Sequence, residues 1–159
     1  MHTGVHIIEQ LGHRFLWIDG YLWMWDIPVE RKAQKELADH ASGNVLVAGY
    51  GLGLVQEYLL KNPKVTWVTT VEQNPKVIEV VHDTYNTLYG DVIIQDFFSL
   101  ESSKKYNCII GDVWEDIVAE SLPEYIRFKN KAEQLLLPSG TILAWGKDFF
   151  EYLLATEKV

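Results

Sequence analysis

NVLVAGYGLGLVQEYLL, residues 44–60, is the stretch on which the reading of the whole chain turns. An apolar run with strand character, NVLVAG, stops at three glycines spaced two apart, Gly49, Gly51 and Gly53, and a helical pattern follows at once. Glycine lets a backbone approach a ligand closely, and a helix N-terminus offers unpaired N–H groups and the positive end of its dipole. A tight turn would use glycine too, so the loop alone leaves both readings open. Its spacing says more. A dinucleotide fingerprint needs G-x-G-x-x-G, and Leu54 stands where the third glycine would fall. The observed G-x-G-x-G therefore favours a nucleoside-type ligand over a pyrophosphate.

Downstream, strand and helix patterns alternate: KVTWVTTVE, NPKVIEVVHDTYN, DVIIQD, YNCIIGD, LPEYIRFKNKAEQLLL, then a PSG turn, TILAWG and a closing DFFEYLLATEKV helix. Such alternation predicts an α/β fold, a Rossmann-like parallel sheet with helices on both faces and its ligand beyond the carboxyl ends of the strands. Upstream, VHIIEQ, RFLWID and YLWMW read as strands of an N-terminal β-hairpin, and Pro28 opens a helix, VERKAQKELADHA, whose charges suggest an exposed face. We expect one domain over 1–159, with the hairpin in 1–26 and the Rossmann-like core in 27–159.

Acidic residues then fall where strands end. Glu72 closes the second core strand about twenty residues after the glycines, where a carboxylate can accept from both ribose hydroxyls. Asp96 ends the third, placed to accept from an adenine amino group with Phe97 or Phe98 against the ring; capping of the following turn is the competing role. Asp112, Glu115 and Asp116 follow the fourth strand. Carboxylates there can orient an amine and accept its proton. Equally, acids are favourable at a helix N-terminus.

Composition narrows the classes. The 159 residues carry 22 acidic against 14 basic side chains, a formal charge of −8, which argues against nucleic acid as a partner. Cys108 is the single cysteine and the five histidines are scattered, so neither a disulfide nor a metal site is expected. No apolar run reaches membrane-spanning length and no signal-peptide pattern is present, which predicts a cytoplasmic protein without a membrane partner.

The ordered series VLVAGYGLG, TVEQNP, IIQDFF, YNCIIGDVWED and LLLPSGTILAW resembles the class I S-adenosylmethionine-dependent methyltransferase superfamily over residues 44–146. The resemblance implies strand order 3-2-1-4-5, here shortened at the C-terminus, and S-adenosylmethionine as cofactor. It implies Gly49, Tyr50, Gly51 and Gly53 along the methionine part of the cofactor, Glu72 with Gln73 at the ribose, Asp96 with Phe97 at the adenine, and Asp112 at the reacting end. Within the superfamily, RFLWIDGYLW and NPKVTWVTTVEQNPKVIEVV are similar to the spermidine synthase group of aminopropyltransferases, which uses decarboxylated S-adenosylmethionine. Leu52, Trp23 and Gln34-Lys35-Glu36 depart from that group's Asp, Gln and Tyr-His-Glu. MWDIP is similar to the guanidino-group methyltransferases, which implies Asp26 and Asp112 as holders of a guanidinium. These resemblances imply methyl transfer to a small amine or guanidine, with Asp112, Glu115 and Asp26 as catalytic residues and a homodimer paired through the hairpin or the fifth strand. Aminopropyl transfer is the first alternative, and a non-catalytic binding or assembly module the second.

Overall fold

The computed structural model describes residues 4–112 and 117–156. Three strands come first, β1 (Val5–Gln10), β2 (His13–Ile18) and β3 (Tyr21–Trp25), paired antiparallel in that order. The expected hairpin is thus a three-stranded meander. Its turns, Leu11-Gly12 and Asp19-Gly20, have positive φ at both positions, the backbone that matches the twist of the flanking strands.

The remaining elements are α1 (Pro28–Asp39), β4 (Gly43–Ala48), α2 (Leu54–Lys61), β5 (Val65–Glu72), α3 (Pro75–Tyr85), β6 (Asp91–Ile94), β7 (Tyr106–Gly111), α4 (Leu122–Leu135), β8 (Leu136–Ala144) and α5 (Lys147–Thr156). The five strands from β4 onward form one parallel sheet in the order β6-β5-β4-β7-β8. Numbered from its own first strand, this order is 3-2-1-4-5; the meander ahead of it shifts the count along the chain.

Alternation along β4 decides which helix covers which face. Val45 and Val47 pack with Cys108 and Ile110 against Ala38 of α1 and Val55 and Leu59 of α2. Leu46 and Ala48 point the other way, joining Ile109 to Tyr125, Phe128 and Ala132 of α4 and Phe150 of α5. Each large apolar side chain buried this way contributes about 1.5–3 kcal/mol. A third cluster, Leu16 of β2 with Tyr50, Leu52, Leu54, Val77 and Val81, fastens the meander to the glycine loop and α3.

One expectation changes in detail. The predicted PSG turn lies inside β8: Tyr106 pairs with Leu136 but Cys108 with Thr141, so Pro138-Ser139-Gly140 bulges out of register within the strand. The helix α1 exposes a charged face and buries the other, with Gln34 only 1% exposed. Cys108 is buried, and burial pushes its thiol up to about 12. Among the described residues no helix is long and apolar enough to cross a membrane, and no group of three His, Cys, Asp or Glu could hold a metal.

Candidate active site

A cavity of about 990 Å³ opens beyond the carboxyl ends of the parallel strands, roofed by the meander. Strand ends are where a parallel sheet gathers its loops, and three of them deliver an acid here: Glu72 from β5, Asp96 just after β6 and Asp112 just after β7. Gly49, Tyr50 and Gly51 line the same cavity, as do Gln73, Phe97 and Phe98.

Glu72 is 9% exposed, and both its oxygens are anchored by main chain. Oε1 accepts from the Tyr50 N–H and Oε2 from the Asn74 N–H, each at 2.9 Å. A carboxylate oxygen accepts more than one hydrogen bond, so the pair can still receive two hydroxyls. Tyr50 itself turns inward: its hydroxyl accepts from the Tyr89 N–H at 2.9 Å, and burial pushes the phenol up to about 12.

The glycine loop has φ of +92°, +56° and +75° at Gly49, Gly51 and Gly53. At Gly51 the missing Cβ has a second use, because one built there would meet Met24 Sδ of β3 at 2.6 Å. The same sulfur accepts the Leu52 N–H at 3.3 Å. Met24 therefore rests on the loop, and the Leu52 side chain is buried in the third cluster. Gln56, fully buried, steadies the loop from below: its Nε2 donates to Gly49 O at 3.3 Å and Thr70 Oγ1 at 3.1 Å. Its Oε1 has no hydrogen-bond partner among the described residues.

Asp96 takes the turn-capping role, accepting from Phe98 N–H at 3.2 Å and Ser99 Oγ at 3.3 Å, while still lining the cavity. Phe97 belongs mainly to the core, 5% exposed and stacked on Phe128 at 5.5 Å. Phe98 is less buried, with the Arg127 guanidinium 3.9 Å from its ring centroid.

Asp112 meets two residues of α1: Glu30, which the sequence reading did not single out, and Gln34, which it noted only as a departure from the spermidine synthase group's Tyr-His-Glu. Gln34 Nε2 donates to Asp112 Oδ2 at 3.0 Å and to Glu30 Oε1 at 2.9 Å, and all three residues line the cavity. Burial, and then the nearby Glu30 charge, push the Asp112 carboxyl up to about 7, against the hydrogen bond from Gln34. For Glu30 the i, i+4 spacing to Gln34 was the available signal, and it also fits an ordinary solvated helix face.

Asp26 is not brought to this cluster. Its side chain is 9% exposed: Oδ1 accepts the Arg14 N–H at 2.7 Å and Oδ2 faces Arg31 at 3.5 Å, tying β2 to α1. It does not line the cavity, nor does Gly53, which caps α2. Glu115, with Asp116 and Trp114, lies outside the described residues.

No protein-family model and no curated protein matches the chain. Solved structures do. An S-adenosylmethionine-dependent methyltransferase from Clostridium acetobutylicum aligns over 74% of this chain and 50% of its own, with TM-score 0.55 and 14% identity. The DhpI–SAM–HEP complex aligns over 70% of this chain and 50% of its own, with TM-score 0.52 and 17% identity. The CcbJ methyltransferase from Streptomyces caelestis aligns over 72% and 47%, with TM-score 0.51 and 22% identity. The chain spans about half the length of these proteins. At such identities the likeness shows a shared fold: an α/β fold with a five-stranded parallel sheet of the kind found in S-adenosylmethionine-dependent methyltransferases.

Proposed function

We propose that the cavity binds S-adenosylmethionine and that the chain transfers its methyl group to a small amine or guanidine. The observation that carries this reading is the convergence of Glu72, Asp96 and Asp112 with the glycine loop on one cavity. The residues fit the group. At about 990 Å³ the cavity is of ligand-binding size. Glu72 keeps capacity for a ribose diol, and Asp96 and Phe98 stand together for an adenine edge and face. DhpI, a solved protein of the same fold, is bound to SAM in one structure and to SAH in another.

When bound, the sulfonium supplies an electrophilic methyl carbon. Asp112 orients the acceptor nitrogen and takes its proton as the new N–C bond forms. A carboxylate beside an amine raises the amine's own pKa, so Asp112 acts by positioning and late proton acceptance rather than by deprotonating the free amine in advance. Gln34 holds the Asp112 carboxylate in place through the 3.0 Å hydrogen bond. Glu115 remains a candidate for the same rim on sequence grounds.

Aminopropyl transfer from decarboxylated S-adenosylmethionine is the second reading, favoured by the meander over the loop and its likeness in sequence to the spermidine synthase hairpin. Calorimetric titration with S-adenosylmethionine, its decarboxylated form and methylthioadenosine separates the two. Tighter binding of the carboxylated donor is the expected result; no binding of any of the three at millimolar concentration ends both readings and leaves a non-catalytic module. A homodimer is proposed with the same reading, supported by the exposed Tyr21, Leu22, Trp23 and Trp25 of β3. Sedimentation showing only monomer at micromolar concentration would sink it.

A further inference from the structure

Tyr50 stands between Gly49 and Gly51, both with positive φ, +92° and +56°. Glycine restrains a backbone least, so two of them leave the peptide planes around residue 50 with no conformation set by local sterics. Yet the Tyr50 N–H has a fixed task. It donates to Glu72 Oε1 at 2.9 Å, and so holds one side of that carboxylate at the cavity. The other side, Oε2, is held by the N–H of Asn74, the N-cap of α3. One clamp therefore comes from a helix cap and the other from a loop of glycines.

The Tyr50 side chain supplies what the glycines lack. It is 3% exposed, packed with Leu16, Val77 and Val81, and its hydroxyl accepts the Tyr89 N–H at 2.9 Å. Leu52, the only other side chain between Gly49 and Gly53, has no polar group with which to do this. Tyr89 is itself close to the sheet. A Cβ built on the next residue, Gly90, would meet Val68 O of β5 at 2.7 Å, and Asp91 then opens β6 paired with Thr69. The ring thus ties the glycine loop to residues that do not line the cavity. Gly53, which does not line it either, belongs to the same arrangement. A Cβ there would meet Tyr50 Cε1 at 2.8 Å and the Tyr50 hydroxyl at 2.9 Å, so the third glycine leaves room for the ring.

We infer that Tyr50 is a positioning residue for the donor's ribose: its buried phenol, seated on the Tyr89 N–H, sets the main-chain N–H that aims Glu72 at a vicinal diol. This rests on the reading of the cavity as an S-adenosylmethionine site. It goes further by separating the residue that receives the hydroxyls from the one that fixes where they are received. Each oxygen of Glu72 already carries one N–H and keeps capacity for one O–H of the diol. A shift at Oε1 spoils that pair, whereas the adenine end, at Asp96 after β6, has its own supports in Phe98 N–H and Ser99 Oγ. Sugar and base recognition are therefore separable in an experiment.

The test uses the whole chain and two neutral probes, 5′-methylthioadenosine and its 2′-deoxy analogue, titrated by calorimetry. The parent is expected to prefer the diol by about tenfold or more, through a hydrogen bond to a charged acceptor. Tyr50→Phe keeps the ring and removes the hydroxyl. It is expected to cut that preference at least about threefold while the 2′-deoxy analogue binds as before. Added to Glu72→Gln, it should change the preference no further, because both act through one carboxylate. An unchanged preference in Tyr50→Phe overturns the inference, and so does an equal loss for both probes, the mark of a merely structural role. A second measurement needs no ligand: in Tyr50→Phe, amide hydrogen exchange should quicken at Tyr50 as well as at Tyr89. Quickening at Tyr89 alone overturns the inference too. A parent that binds neither probe overturns the cofactor reading, and the ribose assignment with it, whatever the exchange shows.

Discussion

Asp112 is held between opposing demands, and pH reports on them. Its carboxyl is pushed up to about 7 by burial and by Glu30 on α1, against an ordinary value of 3.8. A folded-state pKa above the unfolded one means the folded chain binds that proton more tightly. The resulting stability is complete below the ordinary carboxylate pKa and is lost as pH rises through about 7. Asp112→Asn, which mimics the protonated acid, should therefore gain in melting temperature relative to the parent between pH 5 and pH 8.5. Methyl transfer should do the reverse, rising through pH 7 in the parent and absent in the variant, while donor binding persists. Glu72→Gln should weaken S-adenosylmethionine binding by about tenfold or more through the loss of a charged acceptor, measured by calorimetry. Glu72, Asp96 and Asp112 were legible because an acid directly after an apolar strand has little choice of location. Asp26 and Glu30 were not: the meander gives Asp26 a backbone N–H and Arg31 as partners, while packing of α1 carries Glu30 to the cavity. Neither fact is written in local spacing.

At the scale of elements, Gly111 records how closely neighbours approach. A Cβ at Gly111 would lie 2.4 Å from the ring of Phe128, which is fully buried and stacked on Phe97. Gly111→Ala should cost about 1–3 kcal/mol by overpacking, read from urea denaturation, and Phe128→Leu in the same chain should recover part of it. Since Gly111 immediately precedes Asp112, the aromatic stack also sets the height at which that acid enters the cavity. Strand and helix positions were legible almost throughout from apolar periodicity, with Gly and Pro as punctuation. The bulge in β8 was not, because Pro138-Ser139-Gly140 has the chemistry of a turn; only pairing with β7 on both sides keeps it inside the strand. The link from Gln34 to Glu30 and Asp112 was not legible either: the sequence marks Gln34 only as a departure from a related motif, and the fold alone brings the two acids to it.

For the whole molecule, the formal charge of −8 and an acid-lined cavity act in one direction. Cationic ligands should bind less tightly as salt rises from about 20 to 500 mM, while neutral methylthioadenosine should be nearly unaffected, because screening acts on charge alone. The order of the large sheet could be anticipated from the chain's motifs; the way the meander roofs the cavity could not, since it depends on long-range contacts, among them one seat on the glycine loop itself. That seat is Met24 on Gly51, where a thioether touches a backbone that has no side chain of its own. Methionine sulfur is also an oxidisable atom, and Met24 is only partly buried. Its sulfoxide would bring a bulky polar oxygen into a gap closed by sulfur alone. Mild peroxide should therefore lower donor affinity in step with Met24 oxidation seen by mass spectrometry, and Met24→Leu should resist the treatment, making the join between the two sheets the point at which oxidants disable the protein.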